Sequence, residues 1–172
     1  ILFHIPELRT ILYSCDSSTD KKVLFNIQYL FYSMENSTVT CSAMDLHNSI
    51  KFCLDEQNTH KDACEFIIKL KDALDGEISG TSQDKDLNDL FQISVRSNIE
   101  CFSKSYKKSQ IEYYQFLNIH FGDDTPDKPL NLIDCLLNFQ KKSDIVHSTD
   151  EYGKQPAVKW DEFITFPPVL GI

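Results

Sequence analysis

His60-Lys61-Asp62-Ala63-Cys64-Glu65-Phe66, continuing through Ile67, Leu70, Ala73 and Leu74, is the stretch whose reading decides the fold. From Phe66 onward the apolar residues recur at helical spacing, which predicts an amphipathic helix with one buried face. Thr59 is expected to cap this helix with Asp62 as the acid three residues on, and Gly76 to end it. Asp62 and Glu65 then stand one turn apart on neighbouring positions of one face. Two roles are open to them. Asp62 suits a capping acid and Glu65 suits the positive end of the helix dipole. Alternatively, both offer charge-assisted, bidentate acceptors to arginines of a bound peptide.

On the N-terminal side the pattern stays helical. Pro6 opens a helix through Tyr13, because its missing N–H is harmless in a first turn. A polar loop is expected over 16–20. Val23, Leu24, Ile27, Leu30, Phe31 and Met34 then form a second apolar stripe, and a shorter helix is expected over 44–52. On the C-terminal side, 77–86 is polar and expected to be a loop. Strands are expected over 92–101 and 111–121, with a turn over 104–110 between them. A helix is expected over 130–139, and strand, turn and strand over 152–166. Helices first and strands later indicate an α+β fold.

The formal net charge of −9 argues against nucleic acid and anionic membrane surfaces as partners. No apolar run approaches the roughly 20 residues of a membrane span. The six cysteines, Cys15, Cys41, Cys53, Cys64, Cys101 and Cys135, contain no C-x-x-C pair and suit a reducing compartment, cytoplasmic or nuclear. Cys64 has His60 four residues before it, the best local Cys/His spacing in the chain. The acids Asp62 and Glu65 beside it oppose a thiolate, so it is not read as a nucleophile. The remaining histidines, His4, His47, His120 and His147, show no metal-ligand spacing. Phe163 is expected in the core, and Trp160 is open between core and partner surface.

Several segments, in chain order, resemble the catalytic domain of ubiquitin-specific proteases. The run from Leu2-Phe3-His4-Ile5-Pro6-Glu7-Leu8-Arg9 resembles the helix after the family's nucleophile box. His60-Lys61-Asp62-Ala63-Cys64-Glu65-Phe66 resembles its Q-x-D-A-x-E-F signature, with His60 in place of glutamine. Leu90-Phe91 followed by Ile99-Glu100-Cys101 resembles the lead-in to its fingers. Phe116-Leu117-Asn118-Ile119, Leu132-Ile133-Asp134-Cys135-Leu136 and Phe166-Pro167-Pro168-Val169-Leu170 resemble three later motifs of the same domain.

The resemblance implies a papain-like cysteine-protease hand. Residues 1–76 would form a helical thumb, 77–91 a loop and short helix, and 92–172 the β fingers and part of the palm, with a helix near 130–139. It implies that Asp62 and Glu65 hold the arginine-bearing tail of ubiquitin and that His60 lies beside the cleft. It implies ubiquitin or ubiquitinated proteins as partners, with no nucleic acid and no membrane. The family's cysteine and histidine boxes are expected outside residues 1–172, so no catalytic residue is assigned here and the segment alone is expected to be inactive. No cofactor is expected. Of the paired cysteines that bind finger zinc in relatives only Cys101 stands here, so no metal site is expected. The parent would be a thiol-dependent deubiquitinase, or alternatively a catalytically inactive ubiquitin-binding pseudo-protease.

Overall fold

The computed structural model describes residues 1–18, 20–50, 62–102, 106–119, 131–151 and 153–172. The chain divides after Leu90 into two compact units.

The first unit is helical. After one 3-10 turn, α1 (Pro6–Tyr13) starts on proline and buries Leu8 and Leu12, one turn apart. Helix α2 (Lys22–Asn36) buries Val23, Leu24, Ile27 and Phe31, the expected stripe, although Met34 at its far end is exposed. It packs against α1, against α3 (Met44–Ser49) and against α4 (Ala63–Ile78). The helix expected over 44–52 is thus found as far as Ser49, and residues 51 and 52 lie outside the described set.

Two polar side chains brace the helix ends of this unit. Gln28 of α2 donates from Nε2 to the carbonyls of Leu12 (2.7 Å) and Cys15 (3.0 Å), satisfying the C-terminal end of α1. Glu77 of α4 accepts from the backbone N–H groups of Val23 (3.0 Å) and Leu24 (2.7 Å) at the start of α2. Helix ends leave such groups without intrahelical partners, and the side chains supply them.

Helix α4 corrects two expectations. Its N-cap is Asp62 itself, and Thr59 lies outside the described residues. Gly76 does not end it, because Ile78 continues the buried row of Leu70 and Leu74 and that packing outweighs the roughly 1 kcal/mol helix penalty of a glycine. The turn comes at Gly80, whose φ of 80° favours glycine. The loop expected over 77–86 shrinks accordingly, because α5 (Ser82–Phe91) begins at Ser82. That helix is mostly polar, with Leu87 and Leu90 buried and Phe91 half-buried at its end. Lys71 runs its apolar stem inward, and its amine meets Asp75 (2.5 Å) and Asn88 of α5 (2.8 Å).

Among the described residues the second unit is a four-stranded antiparallel sheet, ordered β2-β1-β4-β3, with one helix. Strand β1 (Ile93–Cys101) is central and lies where the sequence puts it. Strand β2 (Lys107–Tyr114) starts earlier than expected, since an edge strand tolerates Lys107 and Lys108 in the stretch read as a turn. It ends at Tyr114. The strand–turn–strand expected over 152–166 is one long strand, β4 (Gly153–Thr165), preceded by an unexpected partner, β3 (Ser143–Thr149). Helix α6 (Leu132–Phe139) is found where the sequence places it.

Ile93, Val95 and Leu117 make the buried cluster of this unit. Tyr114, Leu136, Phe139, Phe163 and Leu170 pack on it, and the rings of Phe139 and Phe163 stack at 5.2 Å. Phe163 is therefore a core aromatic, as expected. Near the C-terminal end, Gly171 bridges Phe116 in parallel, and its carbonyl accepts the Leu117 N–H at 2.9 Å. A side chain at Gly171 would meet the Phe116 ring at 2.7 Å and the Gln115 carbonyl at 2.9 Å, so this crossing requires glycine.

Candidate functional site

The first turn of α4 carries the two carboxylates singled out in the sequence. Asp62 has extended backbone angles (φ −66°, ψ 129°), as an N-cap does, and its Oδ1 accepts the Cys64 N–H at 2.7 Å. It stands just outside the helix, so the pair is not two positions on one helical face. Asp62 folds over the helix end, and Glu65 projects from the first turn. The Asp62 carbonyl accepts the Phe66 N–H at 3.1 Å, which begins the helical ladder.

Both acids are exposed. Glu65 pairs with Lys69 at 3.2 Å, one turn on, and the two side chains are 52% and 46% exposed. An ion pair that open to water contributes on the order of 0.5 kcal/mol, so an incoming guanidinium can displace it. The cap uses one lone pair of Asp62, and a carboxylate has about four. The arrangement can therefore hold a cation without unwinding the helix. The N–H groups of the helix start give this end of α4 a partial positive charge that favours acids there. His60, the expected cleft neighbour, lies outside the described residues. Cys64 is half-buried in the same turn.

The remaining residues of interest are scattered. Cys101 and Cys135 are buried, Cys15 and Cys41 are half-buried, and Cys53 lies outside the described residues. Burial pushes the Cys15 thiol up, which makes it a poor nucleophile. Among the described residues no group of three or more His, Cys, Asp and Glu side chains could hold a metal ion. No described helix is long and apolar enough to cross a membrane. Trp160 is half-buried, donates Nε1–H to Glu162 at 2.9 Å, and carries the Lys142 amine over its ring at 4.7 Å.

The outward-facing residues of the sheet carry little signal in the sequence. Ile111 and Tyr113 on β2, Val146 on β3 and Ile164 on β4 are exposed apolar side chains. The alternation of Ile111 and Tyr113 was the available signal, but alternation alone does not say which face is covered.

A helical unit with an exposed, acid-bearing helix start and a separate antiparallel sheet unit make an α+β chain. The chain belongs to the family described as ubiquitin carboxyl-terminal hydrolase, which matches residues 1–172, and its α+β structure is the papain-like fold of the ubiquitin-specific proteases. It is 25% identical over 171 residues to ubiquitin carboxyl-terminal hydrolase 7 of Caenorhabditis elegans, covering 95% of this chain and 15% of that protein. It is 26% identical over 156 residues to ubiquitin carboxyl-terminal hydrolase 15 of Saccharomyces cerevisiae, covering 89% of this chain and 12% of that one. With ubiquitin carboxyl-terminal hydrolase 15 of Schizosaccharomyces pombe it shares 25% over 173 residues, 98% of this chain and 15% of the relative. The chain thus spans between 12 and 15% of the length of these relatives.

Proposed function

We propose that the protein carrying this chain is a cysteine-type deubiquitinase that binds ubiquitin and hydrolyses the bond after its C-terminal glycine. In this reading residues 1–76 are the thumb, 77–91 a linking segment, and 92–172 the fingers and part of the palm. The nucleophilic cysteine and its histidine lie outside residues 1–172. A thiolate attacks the carbonyl, the histidine serves as base and then as acid, and backbone donors hold the oxyanion. This segment contributes grip, with Asp62 and Glu65 holding an arginine of the ubiquitin tail beside His60.

The observation that carries the site is the exposed first turn of α4, where two carboxylates stand over N–H groups, in a chain of this family. The test separates capping from grip. Asparagine caps a helix about as well as aspartate, so Asp62→Asn with Glu65→Gln keeps the helix and removes both charges. In the full-length protein this pair is expected to weaken ubiquitin binding by about tenfold or more in titration calorimetry. Unchanged affinity would discard the site. Turnover of a fluorogenic ubiquitin C-terminal amide tests the chemistry. Tight binding of ubiquitin with no turnover would instead favour the inactive pseudo-protease, a reading that His60 in the glutamine position also suits.

A further inference from the structure

Helix α2 turns an aromatic face outward. Phe25, Tyr29 and Tyr32 follow one another at four and three residues, opposite the buried Val23, Leu24, Ile27 and Phe31. They are 50%, 59% and 60% exposed, and the rings of Phe25 and Tyr29 stack 6.3 Å apart. Tyr29 and Tyr32 form a ridge shared by two grooves of about 450 Å³ each. One groove is completed by Tyr13, Gln28 and Asp16, the other by Ser33, Asn36 and Asp45. Each groove is lined by one acid, and among the described residues no lysine or arginine lines either. Clustered exposed aromatics of this kind mark interaction surfaces.

The same unit shows what such a face can hold. Arg9 lies 5.0 Å over the ring of Phe3 while its Nη1 donates to Glu35 Oε1 at 2.7 Å. A ring face and a carboxylate together fix a guanidinium, the ring through its negative quadrupole and the acid through a charge-assisted bond. The Tyr29–Tyr32 ridge, with Asp16 on one side and Asp45 on the other, offers that pairing to a cation from outside. The net charge of −9 favours a basic partner over nucleic acid or an anionic membrane. We propose that the outer face of α2 docks an extended protein segment bearing arginine or lysine, in addition to and independently of the acids of α4.

The probe is a fluorescein-labelled peptide of alternating arginine and glycine, with a glutamine-for-arginine peptide as its neutral counterpart, read by anisotropy on the full-length protein. All variants carry Asp62→Asn and Glu65→Gln, so that the first turn of α4 does not capture the probe. Tyr29→Ser with Tyr32→Ser leaves the net charge alone and is expected to weaken binding about tenfold, while Tyr29→Phe with Tyr32→Phe keeps it. Asp16→Asn with Asp45→Asn should weaken binding more than the equal charge change Asp72→Asn with Asp86→Asn. Far-UV circular dichroism confirms that each variant is folded. No binding of the arginine peptide, equal binding of the glutamine peptide, or indifference to the loss of both tyrosine rings would overturn the proposal.

Discussion

At the scale of single residues, the polar side chains that matter most are those whose partners lie far along the chain. Glu77 holds the first N–H groups of α2 across a sequence separation of 54 and 53 residues. Replacing it with alanine strands two donors, and Glu77→Ala is expected to cost about 1–2 kcal/mol, measured as a lower urea midpoint with an unchanged slope. A second pair gives the sheet a pH signature. The phenol of Tyr114 donates to Glu112, and that bond, followed by the amide of Gln110, holds the Glu112 carboxyl below its ordinary 4.5. The same bond, followed by burial, pushes Tyr114 up from 10.0 to about 12. A lowered carboxyl contributes stability that is present above about pH 4.5 and lost as pH falls through its folded value. A raised phenol contributes stability that is whole below pH 10.0 and lost as pH climbs toward about 12. The stability difference between the parent and Tyr114→Phe is therefore expected to be level near neutrality and to shrink at both extremes. Denaturant midpoints measured across pH check this, and a difference that ignores pH would refute it. Asp62 shows how far one residue is legible. Its type announced both a cap and a cation holder, and the cap is now visible in the Cys64 N–H bond. The sequence pattern puts Thr59 at the cap and Asp62 three residues into the helix, because spacing alone does not say at which residue the helix begins.

At the scale of elements, legibility followed burial. Helices α1 and α2 and strand β1 carry buried apolar rows and lie where those rows put them, while α6 is found in its place although Cys135 is its one buried residue. Strand β3 escaped notice because Ser143–Thr149 has an edge strand's weak pattern, with Ile145, His147 and Thr149 half-buried and the residues between them exposed. Its conformation comes from pairing with β4, from Ser143 opposite Lys159 to Thr149 opposite Gly153, which no local propensity encodes. Helix α5 hid for a related reason, since its apolar residues, Leu87, Leu90 and Phe91, are confined to the second half of a polar decapeptide. The crossing of Gly171 over Phe116 makes a sharp forecast. Gly171→Ala drives a methyl group against both a ring and a backbone carbonyl, and the carbonyl cannot rotate away. A loss of about 1–3 kcal/mol is expected in thermal or urea unfolding, with Phe116→Ala in the same chain relieving only the ring contact.

At the scale of the whole molecule, family and fold class were readable because an ordered series of short motifs survives even where single matches are weak. The candidate site was less readable, since the exposure of Asp62 and Glu65 emerges only once the helix is placed. The negative field of the chain, −9 overall, bears on partner choice. If two carboxylates hold an arginine-bearing tail, ubiquitin affinity should fall steadily as sodium chloride is raised from about 0.05 to about 0.5 M, because the Debye length that screens exposed charges shrinks from about 14 Å to about 4 Å over that range. Calorimetry at several salt concentrations checks this, and the Asp62→Asn, Glu65→Gln pair should flatten the dependence. The braces of the helical unit have a further consequence for how it comes apart. With α4 bolted to the start of α2, and α2 to the close of α1, none of these ends is free to fray by itself. Hydrogen exchange at Leu24 should therefore report the opening of α4, with a protection factor close to that of the Leu74 amide, and Glu77→Ala should release the first from the second.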